Sequence, residues 1–248
     1  MIVKSCQLRL VAGNASEFPR DACPQVAFMG ASNVGKSSLI NRLLGVRALA
    51  RTSKTPGRTR AIHFYLVNGR TYFVDLPGYG YARVPDWMRR EWKGLVESYL
   101  GGPRRPVLSL LLVDARREPA EHDLQLAEWL RAFSLPHLVA MTKSDKIARG
   151  RVGPALAGAA RRLGLQSEGL VATSAATGDG VPALWKAIDA ACGASSTTAP
   201  AVPHPPPPGR DGVHDRHDGA APGARTPRAR RTSSRTMTEP PQRRRIRL

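Results

Sequence analysis

The fold is decided by the stretch Val26-Ala27-Phe28-Met29-Gly30-Ala31-Ser32-Asn33-Val34-Gly35-Lys36-Ser37. Its four apolar residues predict a strand, and the amphipathic run that begins at Lys36 predicts a helix. Residues 30–37 match G-x-x-x-x-G-K-[ST], a phosphate-binding loop, in the strand-to-helix context that this motif requires. Glycines let the backbone N–H groups and the helix N-terminus point at phosphate oxygens. We therefore predict that Lys36 bridges the β- and γ-phosphates of a nucleotide and that the Ser37 hydroxyl binds Mg²⁺.

Outward from this loop, short apolar runs alternate with amphipathic stretches as far as Gly193. This pattern predicts an α/β fold of the P-loop NTPase class, with a mostly parallel six-stranded sheet flanked by helices. The predicted strands cover residues 25–29, 62–67, 71–74, 107–113, 138–141 and 170–172. The predicted helices cover residues 36–44, 85–100, 120–133, 153–163 and 181–191. Asn68-Gly69 lies between two strands and is typical of a hairpin turn.

The net charge and the lengths of the apolar runs indicate the kind of partner and argue against a membrane protein. The chain has 248 residues and a formal net charge of +19, which indicates a polyanionic partner such as nucleic acid. A GC-rich coding bias would also raise the arginine content without any RNA partner. No apolar run approaches the roughly 20 residues that cross a bilayer, and the first residues lack the apolar core of a signal peptide. We therefore expect a cytoplasmic protein without a membrane partner, and a monomer by default.

The chain divides into three predicted parts: a lead-in segment at 1–23, a nucleotide-binding domain at 24–193 and a tail at 194–248. The tail contains no Phe, Trp or Tyr, and it carries eleven arginines against four acidic residues. Such a composition cannot bury a core and predicts a disordered, Pro/Arg-rich basic arm. The arm could add salt-sensitive contacts to RNA phosphates. The alternative, that it only raises solubility, is left open.

Two further segments are predicted to approach the phosphates. Asp75 directly follows a strand in Asp75-Leu76-Pro77-Gly78, so its carboxylate would hold Mg²⁺ through water, while the Gly78 N–H would approach the γ-phosphate. The alternative is a plain strand-ending turn. Residues 52–60 form a polar, glycine-bearing segment suited to a mobile switch. Thr59 is the first candidate there for a second hydroxyl ligand of Mg²⁺, and Thr55 is the alternative.

A third motif predicts which base is bound. Thr142-Lys143-Ser144-Asp145 follows a predicted strand, and the Asp145 carboxylate can accept two hydrogen bonds, from guanine N1–H and N2–H₂. Adenine does not present these two donors together, so such a site rejects ATP. The stem of Lys143 would lie against the purine. Thr173-Ser174-Ala175 follows the next strand, and the Ala175 N–H can donate to guanine O6.

The predicted nucleotide-binding residues are Gly30, Ala31, Ser32, Asn33, Val34, Gly35, Lys36, Ser37, Ser38, Gly57, Arg58, Thr59, Arg60, Asp75, Leu76, Pro77, Gly78, Thr142, Lys143, Ser144, Asp145, Thr173, Ser174 and Ala175. The predicted catalytic residues are Lys36, Thr59 and Gly78. The predicted Mg²⁺ ligands are Ser37, Thr59 and, through water, Asp75.

Together, four of these motifs resemble the EngB-type GTPases (also called YihA or YsxC), bacterial relatives of the Era and TrmE GTPases. They are residues 30–37, Thr55-Pro56-Gly57-Arg58-Thr59, Asp75-Leu76-Pro77-Gly78-Tyr79-Gly80-Tyr81-Ala82 and Thr142-Lys143-Ser144-Asp145-Lys146. The resemblance covers about residues 1–193. It implies a GTP-binding protein that assists late assembly of the large ribosomal subunit and is needed for normal division septation. It also implies Ser37 and Thr59 as Mg²⁺ ligands.

The sequence departs from this family at several positions. Ala31 replaces the usual arginine, and Arg60 and His63 replace common Gln and Asn residues, so loop contacts would differ. Tyr79 follows Gly78, so the glutamine that orients water in Ras-like enzymes is absent and intrinsic hydrolysis should be slow. Asn33 resembles the asparagine that coordinates K⁺ in related GTPases, which makes K⁺ a second candidate cofactor.

Three function classes remain at this point. The leading one is a switch that binds a precursor of the large ribosomal subunit and its rRNA in the GTP state and is released by hydrolysis. A P-loop ATPase or small-molecule kinase is disfavoured by residues 142–145. A nucleotide-stabilised RNA-binding chaperone without a hydrolysis-coupled switch is the alternative.

Overall fold

The computed structural model describes residues 1–50, 61–78, 86–166 and 169–195. The strands in these ranges are β1 (Cys6–Ala12), β2 (Gln25–Gly30), β3 (Ile62–Val67), β4 (Thr71–Asp75), β5 (Leu108–Asp114), β6 (His137–Thr142) and β7 (Leu170–Ala172). The α-helices are α1 (Lys36–Leu44), α2 (Asp86–Leu100), α3 (Glu121–Ala132), α4 (Arg149–Leu163) and α5 (Val181–Ser195). The strands form one sheet in the order β1-β3-β4-β2-β5-β6-β7.

The sheet is mostly parallel, as the sequence predicts. β2 runs parallel to both β4 and β5, and the pairs β5–β6 and β6–β7 are also parallel. Only the β1–β3 and β3–β4 pairs of the described sheet are antiparallel. The carboxyl ends of β2, β4, β5 and β6 therefore meet at one edge of the sheet, which is where such folds bind ligands.

The predicted number of six strands is wrong, because the described part of the sheet has seven. The additional strand β1 lies within the predicted lead-in segment and pairs with β3. It is an edge strand whose register shifts between Leu8 and Leu10, and Leu8 and Val11 are both nearly half exposed. A bulge interrupts the period-two alternation by which a strand is detected in sequence. The sequence of β1 therefore lacks the regular alternation from which a strand is predicted.

The predicted hairpin at Asn68-Gly69 is confirmed. Both residues have positive φ, 51° and 66°, as expected for the tight turn that joins antiparallel strands. The Asn68 side chain also accepts hydrogen bonds from the backbone N–H groups of Lys4 and Ser5, at 2.7 and 3.1 Å. The turn between β3 and β4 thus anchors the residues that lead into β1.

Helices cover both faces of the sheet. On one face, Ala27, Met29, Leu111 and Val113 belong to a buried cluster that includes residues of α2, α3 and α4. On the other face, alternate residues of the same strands, such as Phe28 and Leu110, join a cluster that includes residues of α1 and α5. A strand covered on both faces is apolar throughout, and every residue of β5 is buried.

The helices occur where they are predicted, with two differences at their ends. α5 ends at Ser195, four residues beyond the predicted end at Ala191. α4 begins at Arg149, four residues before the predicted start at Gly153. Pro154 lies inside this helix, where it cannot donate to the carbonyl four residues earlier and its ring crowds that carbonyl. Among the described residues no helix is long and apolar enough to cross a membrane.

Candidate nucleotide-binding site

The phosphate-binding loop connects β2 to α1 by a tightly wound backbone. Asn33 and Gly35 have φ values of 62° and 108°, a left-handed conformation that turns the chain back toward the helix. At Gly30 a Cβ atom would lie 2.7 Å from the carbonyl oxygen of Leu112, so the loop leaves β2 at a point where only glycine fits. Gly35 caps α1 without a side-chain hydrogen bond, and the first N–H groups of a helix are available to an anion in such a cap.

The segment after β4 lies directly beside this loop. Asp75, at the end of β4, forms an ion pair with Lys36, and both side chains are largely buried. The backbone N–H of Leu76 donates to the carbonyl of Phe28 in β2 at 3.1 Å. At Gly78 a Cβ atom would lie 2.8 Å from Ser32 Oγ. The structure thus brings the Asp75 segment against both ends of the loop.

The Thr142–Asp145 segment is tied to the same loop from the other side. Thr142 Oγ1 donates to the carbonyl of Val34 at 2.7 Å, and Lys143 Nζ donates to the carbonyl of Asn33 at 2.7 Å. Lys143 has a φ of 60°, so the chain turns sharply as it leaves β6. Two side chains of the predicted base-recognition motif therefore hold the backbone of the phosphate-binding loop.

Asp145 is positioned by the loop that follows β7. Ser174 Oγ donates to Asp145 Oδ1 at 2.7 Å, and Lys146 Nζ lies 3.2 Å from Oδ2. The hydrogen bond from Ser174 is the largest cause that holds the pKa of Asp145 below its ordinary value. The backbone N–H of Ser144 donates to the carbonyl of Thr173 at 3.1 Å. The carboxylate is therefore ionised and oriented before any ligand arrives.

Between these segments lies a cavity of about 400 Å³. It is lined by Gly35, Ser38, Leu39, Thr142, Lys143, Asp145, Lys146, Ala175 and Ala176. This volume falls in the range of small-molecule sites. The lining combines apolar side chains and a lysine stem with one carboxylate, a set that suits a flat base with hydrogen-bond donors on one edge.

The described donors also fit a magnesium ion bound together with nucleotide phosphates. Mg²⁺ in such sites takes one or two protein oxygens and keeps water as its other ligands. Ser37, in the first turn of α1, and Asp75, paired with the adjacent Lys36, would supply a hydroxyl and a carboxylate oxygen to such an ion. Thr55, Gly57, Arg58, Thr59 and Arg60, predicted to act in or near this site, lie outside the described residues.

Sequence reasoning missed several residues that shape the site. Asp114 at the end of β5 accepts a hydrogen bond from Lys143 Nζ at 2.8 Å. Arg42 of α1 donates to the carbonyl of Thr177 at 3.0 Å and thereby joins α1 to the loop after β7. The position of Asp114 at a strand end was a usable signal, as it was for Asp75. The contact of Arg42 spans 135 residues and has no local signal.

Comparisons with known proteins place the chain among GTP-binding proteins. Residues 25–143 match the family model described as 50S ribosome-binding GTPase. The chain is 42% identical over 210 residues to the probable GTP-binding protein EngB of Geobacter sp. (strain M21), covering 84% of this chain and 98% of that protein. It is also 42% identical over 189 residues to the corresponding protein of Clostridioides difficile (strain 630), covering 76% and 93%.

Solved structures share the fold at lower sequence identity. A crystal structure of a probable GTP-binding protein EngB aligns over 68% of this chain and 99% of its own, with 24% identity and a TM-score of 0.58. The Era protein of Aquifex aeolicus, crystallised with GDP and AlF₄⁻, aligns over 66% of this chain and 55% of its own, with 24% identity and a TM-score of 0.54. Both comparisons place the described strands and helices in the G-domain fold.

Proposed function

The chain belongs to the EngB family of GTP-binding, GTP-hydrolysing proteins, and on that premise we propose that it is a guanine-nucleotide switch in assembly of the large ribosomal subunit. The observation that carries the nucleotide part is the placement of Asp145. Its carboxylate lines a cavity of about 400 Å³ whose other wall, at Gly35, belongs to the phosphate-binding loop. A single nucleotide bound in this cavity would therefore contact both Asp145 and the phosphate-binding loop.

The base is selected by the chemistry of that carboxylate. Ionised Asp145 accepts from guanine N1–H and N2–H₂, and a base without these donors leaves a desolvated carboxylate unpaired. Ser174 and Lys146 already satisfy part of its hydrogen-bonding capacity and fix its orientation. Lys143, whose stem lines the cavity, supplies apolar surface for the purine face.

The phosphates are bound by the loop and by Lys36. Backbone N–H groups of residues 30–37 and the N-terminus of α1 stabilise negative charge, and Lys36 exchanges its contact with Asp75 for the β- and γ-phosphates. Ser37, Thr59 and, through water, Asp75 would hold Mg²⁺, which when bound would supply positive charge against the charge that develops during phosphoryl transfer. The Gly78 N–H contacts the γ-phosphate and so distinguishes GTP from GDP.

Hydrolysis by this site is expected to be slow without a partner. Tyr79 occupies the position after Gly78 where Ras-like enzymes have a water-orienting glutamine. We propose that Asn33 would hold K⁺, which when bound would partly compensate for the absent glutamine. A slow intrinsic rate keeps the GTP state long enough to engage a large particle, and hydrolysis then releases it.

The ribosomal part of the proposal has two supports. The matching family model is described as a 50S ribosome-binding GTPase, and the net charge of +19 suits rRNA as a partner. A cytoplasmic monomer that binds the precursor of the large subunit is consistent with both the family match and the positive charge. The need for normal cell division and septation then follows from the supply of ribosomes.

Co-sedimentation of the full chain with large ribosomal subunits at moderate salt tests the switch. We expect a non-hydrolysable GTP analogue to drive the protein into the pellet and GDP to leave it in the supernatant. ADP and an ATP analogue serve as controls, and neither should have an effect. Equal pelleting in every nucleotide state would contradict the switch and favour the alternative, an RNA-binding chaperone whose nucleotide only stabilises the fold.

A further inference from the structure

Asp114 lies at the carboxyl end of β5, next to the base-recognition segment. In the parallel register of β5 and β6 it pairs with Thr142, the first residue of that segment. Its side chain is 6% exposed, and a buried carboxylate destabilises a protein unless cations or hydrogen-bond donors compensate it. The function proposed above gives this residue no role.

Two cations compensate the charge of Asp114. Lys143 Nζ donates to Asp114 Oδ2 at 2.8 Å, while Arg116 donates to Oδ1 through Nε at 2.9 Å and to Oδ2 through Nη2 at 2.7 Å. Burial raises the pKa of Asp114, but the hydrogen bonds from Arg116 and Lys143 outweigh it and hold this pKa well below its usual range. Asp114 is therefore a carboxylate, not a carboxylic acid, throughout the neutral pH range.

The two cations differ in what else they contact. Arg116 has a half-exposed side chain (52%) that points to the surface. Lys143 Nζ also donates to the carbonyl of Asn33 in the phosphate-binding loop at 2.7 Å, and the Lys143 side chain lines the base cavity. Only the lysine therefore connects Asp114 to both halves of the nucleotide site.

We propose that Asp114 is a positioning residue for nucleotide binding, which holds Lys143 stretched between the base cavity and the phosphate-binding loop. A free lysine side chain loses much rotamer freedom when it is fixed against a ligand. Asp114 fixes it beforehand, so that less binding free energy is spent on ordering this side chain. The inference rests on the proposed function in one respect, that a guanine nucleotide fills this cavity.

Release of GDP carrying a fluorescent ribose substituent, measured by stopped flow on the full chain, tests this role. Asp114→Asn keeps the size of the side chain but removes the charge. We expect roughly tenfold faster release, the order of one lost charge-assisted hydrogen bond. Arg116→Gln is the matched control, because it removes the other cation from the same carboxylate, and it should change the rate less than twofold.

A double-mutant cycle separates positioning from general destabilisation. In a Lys143→Met background, Asp114→Asn should change GDP release less than twofold, because the side chain on which it acts is already gone. A tenfold effect in both backgrounds, or an unchanged rate in Asp114→Asn alone, would overturn the proposal. So would an effect of Arg116→Gln equal to that of Asp114→Asn.

Two further measurements keep the outcomes distinct. If Asp114→Asn does not fold, the double variant Asp114→Asn/Arg116→Gln removes the carboxylate together with its surface cation and is expected to release GDP about tenfold faster. Binding of GDP and ADP by the unaltered chain is measured first. If the unaltered chain does not prefer GDP to ADP, the proposed function and this inference are both overturned. If it binds GDP normally but Asp114→Asn leaves the rate of GDP release unchanged, only the inference is overturned.

Discussion

Replacement of Asp145 by asparagine tests the base-recognition site most directly. The carboxylate accepts from Ser174 Oγ at 2.7 Å and lies 3.2 Å from Lys146 Nζ, and 14% of its side chain is exposed. It is therefore oriented and largely shielded from water. Asparagine has nearly the same shape, but one of its two terminal groups is an N–H donor. One of the two guanine N–H groups that would donate to Asp145 would then face the amide NH₂ of asparagine, which is itself a donor.

The expected magnitude follows from that mismatch. A hydrogen bond to a charged group contributes about 1.5–3 kcal/mol, and a partially buried donor left unpaired adds to the loss. We expect GDP binding to weaken by about 3 kcal/mol, or roughly 150-fold in Kd. Xanthosine diphosphate carries a carbonyl at C2 in place of the amino group and accepts from the new amide, so its affinity should rise by about tenfold.

Titration calorimetry with both diphosphates measures these changes. Asp179→Asn is a suitable control, because Asp179 is exposed on the loop after β7 and lies outside the cavity lining, so both affinities should stay within about twofold of the parent chain. Parallel weakening of GDP and xanthosine diphosphate by Asp145→Asn would refute the reasoning, since it would mean that the carboxylate supports the fold and does not recognise the base.

Three further predictions concern the same site. Gly78→Ala places a Cβ 2.8 Å from Ser32 Oγ and should lower single-turnover GTP hydrolysis by at least about tenfold, while GDP binding stays within a few-fold. The control Gly158→Ala, whose Cβ meets nothing within 4 Å, should leave hydrolysis unchanged. Hydrolysis should be faster in KCl than in NaCl, and Asn33→Gly, which keeps the left-handed backbone unstrained, should abolish the difference; equal rates in the parent chain would contradict a K⁺ site. Because the pKa of Asp145 is lowered, the ratio of GDP to inosine diphosphate affinities, in which phosphate protonation cancels, should stay constant from pH 8 to about pH 5. A decline within that interval, measured by equilibrium dialysis, would show that the carboxylate titrates above its ordinary pKa.

The fold was largely predictable because its strands are buried on both faces. β5 consists of Leu108-Ser109-Leu110-Leu111-Leu112-Val113-Asp114, and such a continuous apolar run has few other interpretations in an α/β protein. β1 was not predictable in the same way, because only one of its edges is paired and its bulge breaks the alternation. What identifies β1 as a strand is its partner β3, at least fifty residues away.

The site was predictable where its residues stand at strand ends. Gly30, Asp75 and Thr142 each end a strand, and adjacency of their strands' carboxyl ends follows from the parallel order. Side-chain contacts between distant segments were not predictable. The bond from Ser174 to Asp145 and the bond from Thr142 to the Val34 carbonyl depend on register and rotamer, which no local pattern encodes.

The two halves of the site have different tasks. In the proposed complex the base and its contacts at Asp145 would be identical in GTP and GDP, and a ligand shifts a conformational equilibrium only through contacts that differ between the two states. The network of Thr142 and Lys143 on the phosphate-binding loop can therefore raise the affinity for both nucleotides but cannot tell them apart. Discrimination has to arise on the opposite side, where Gly78 packs against Ser32, because only a γ-phosphate adds a contact there. A variant on the base side should thus scale GTP and GDP affinity together, whereas one at Gly78 should change their ratio.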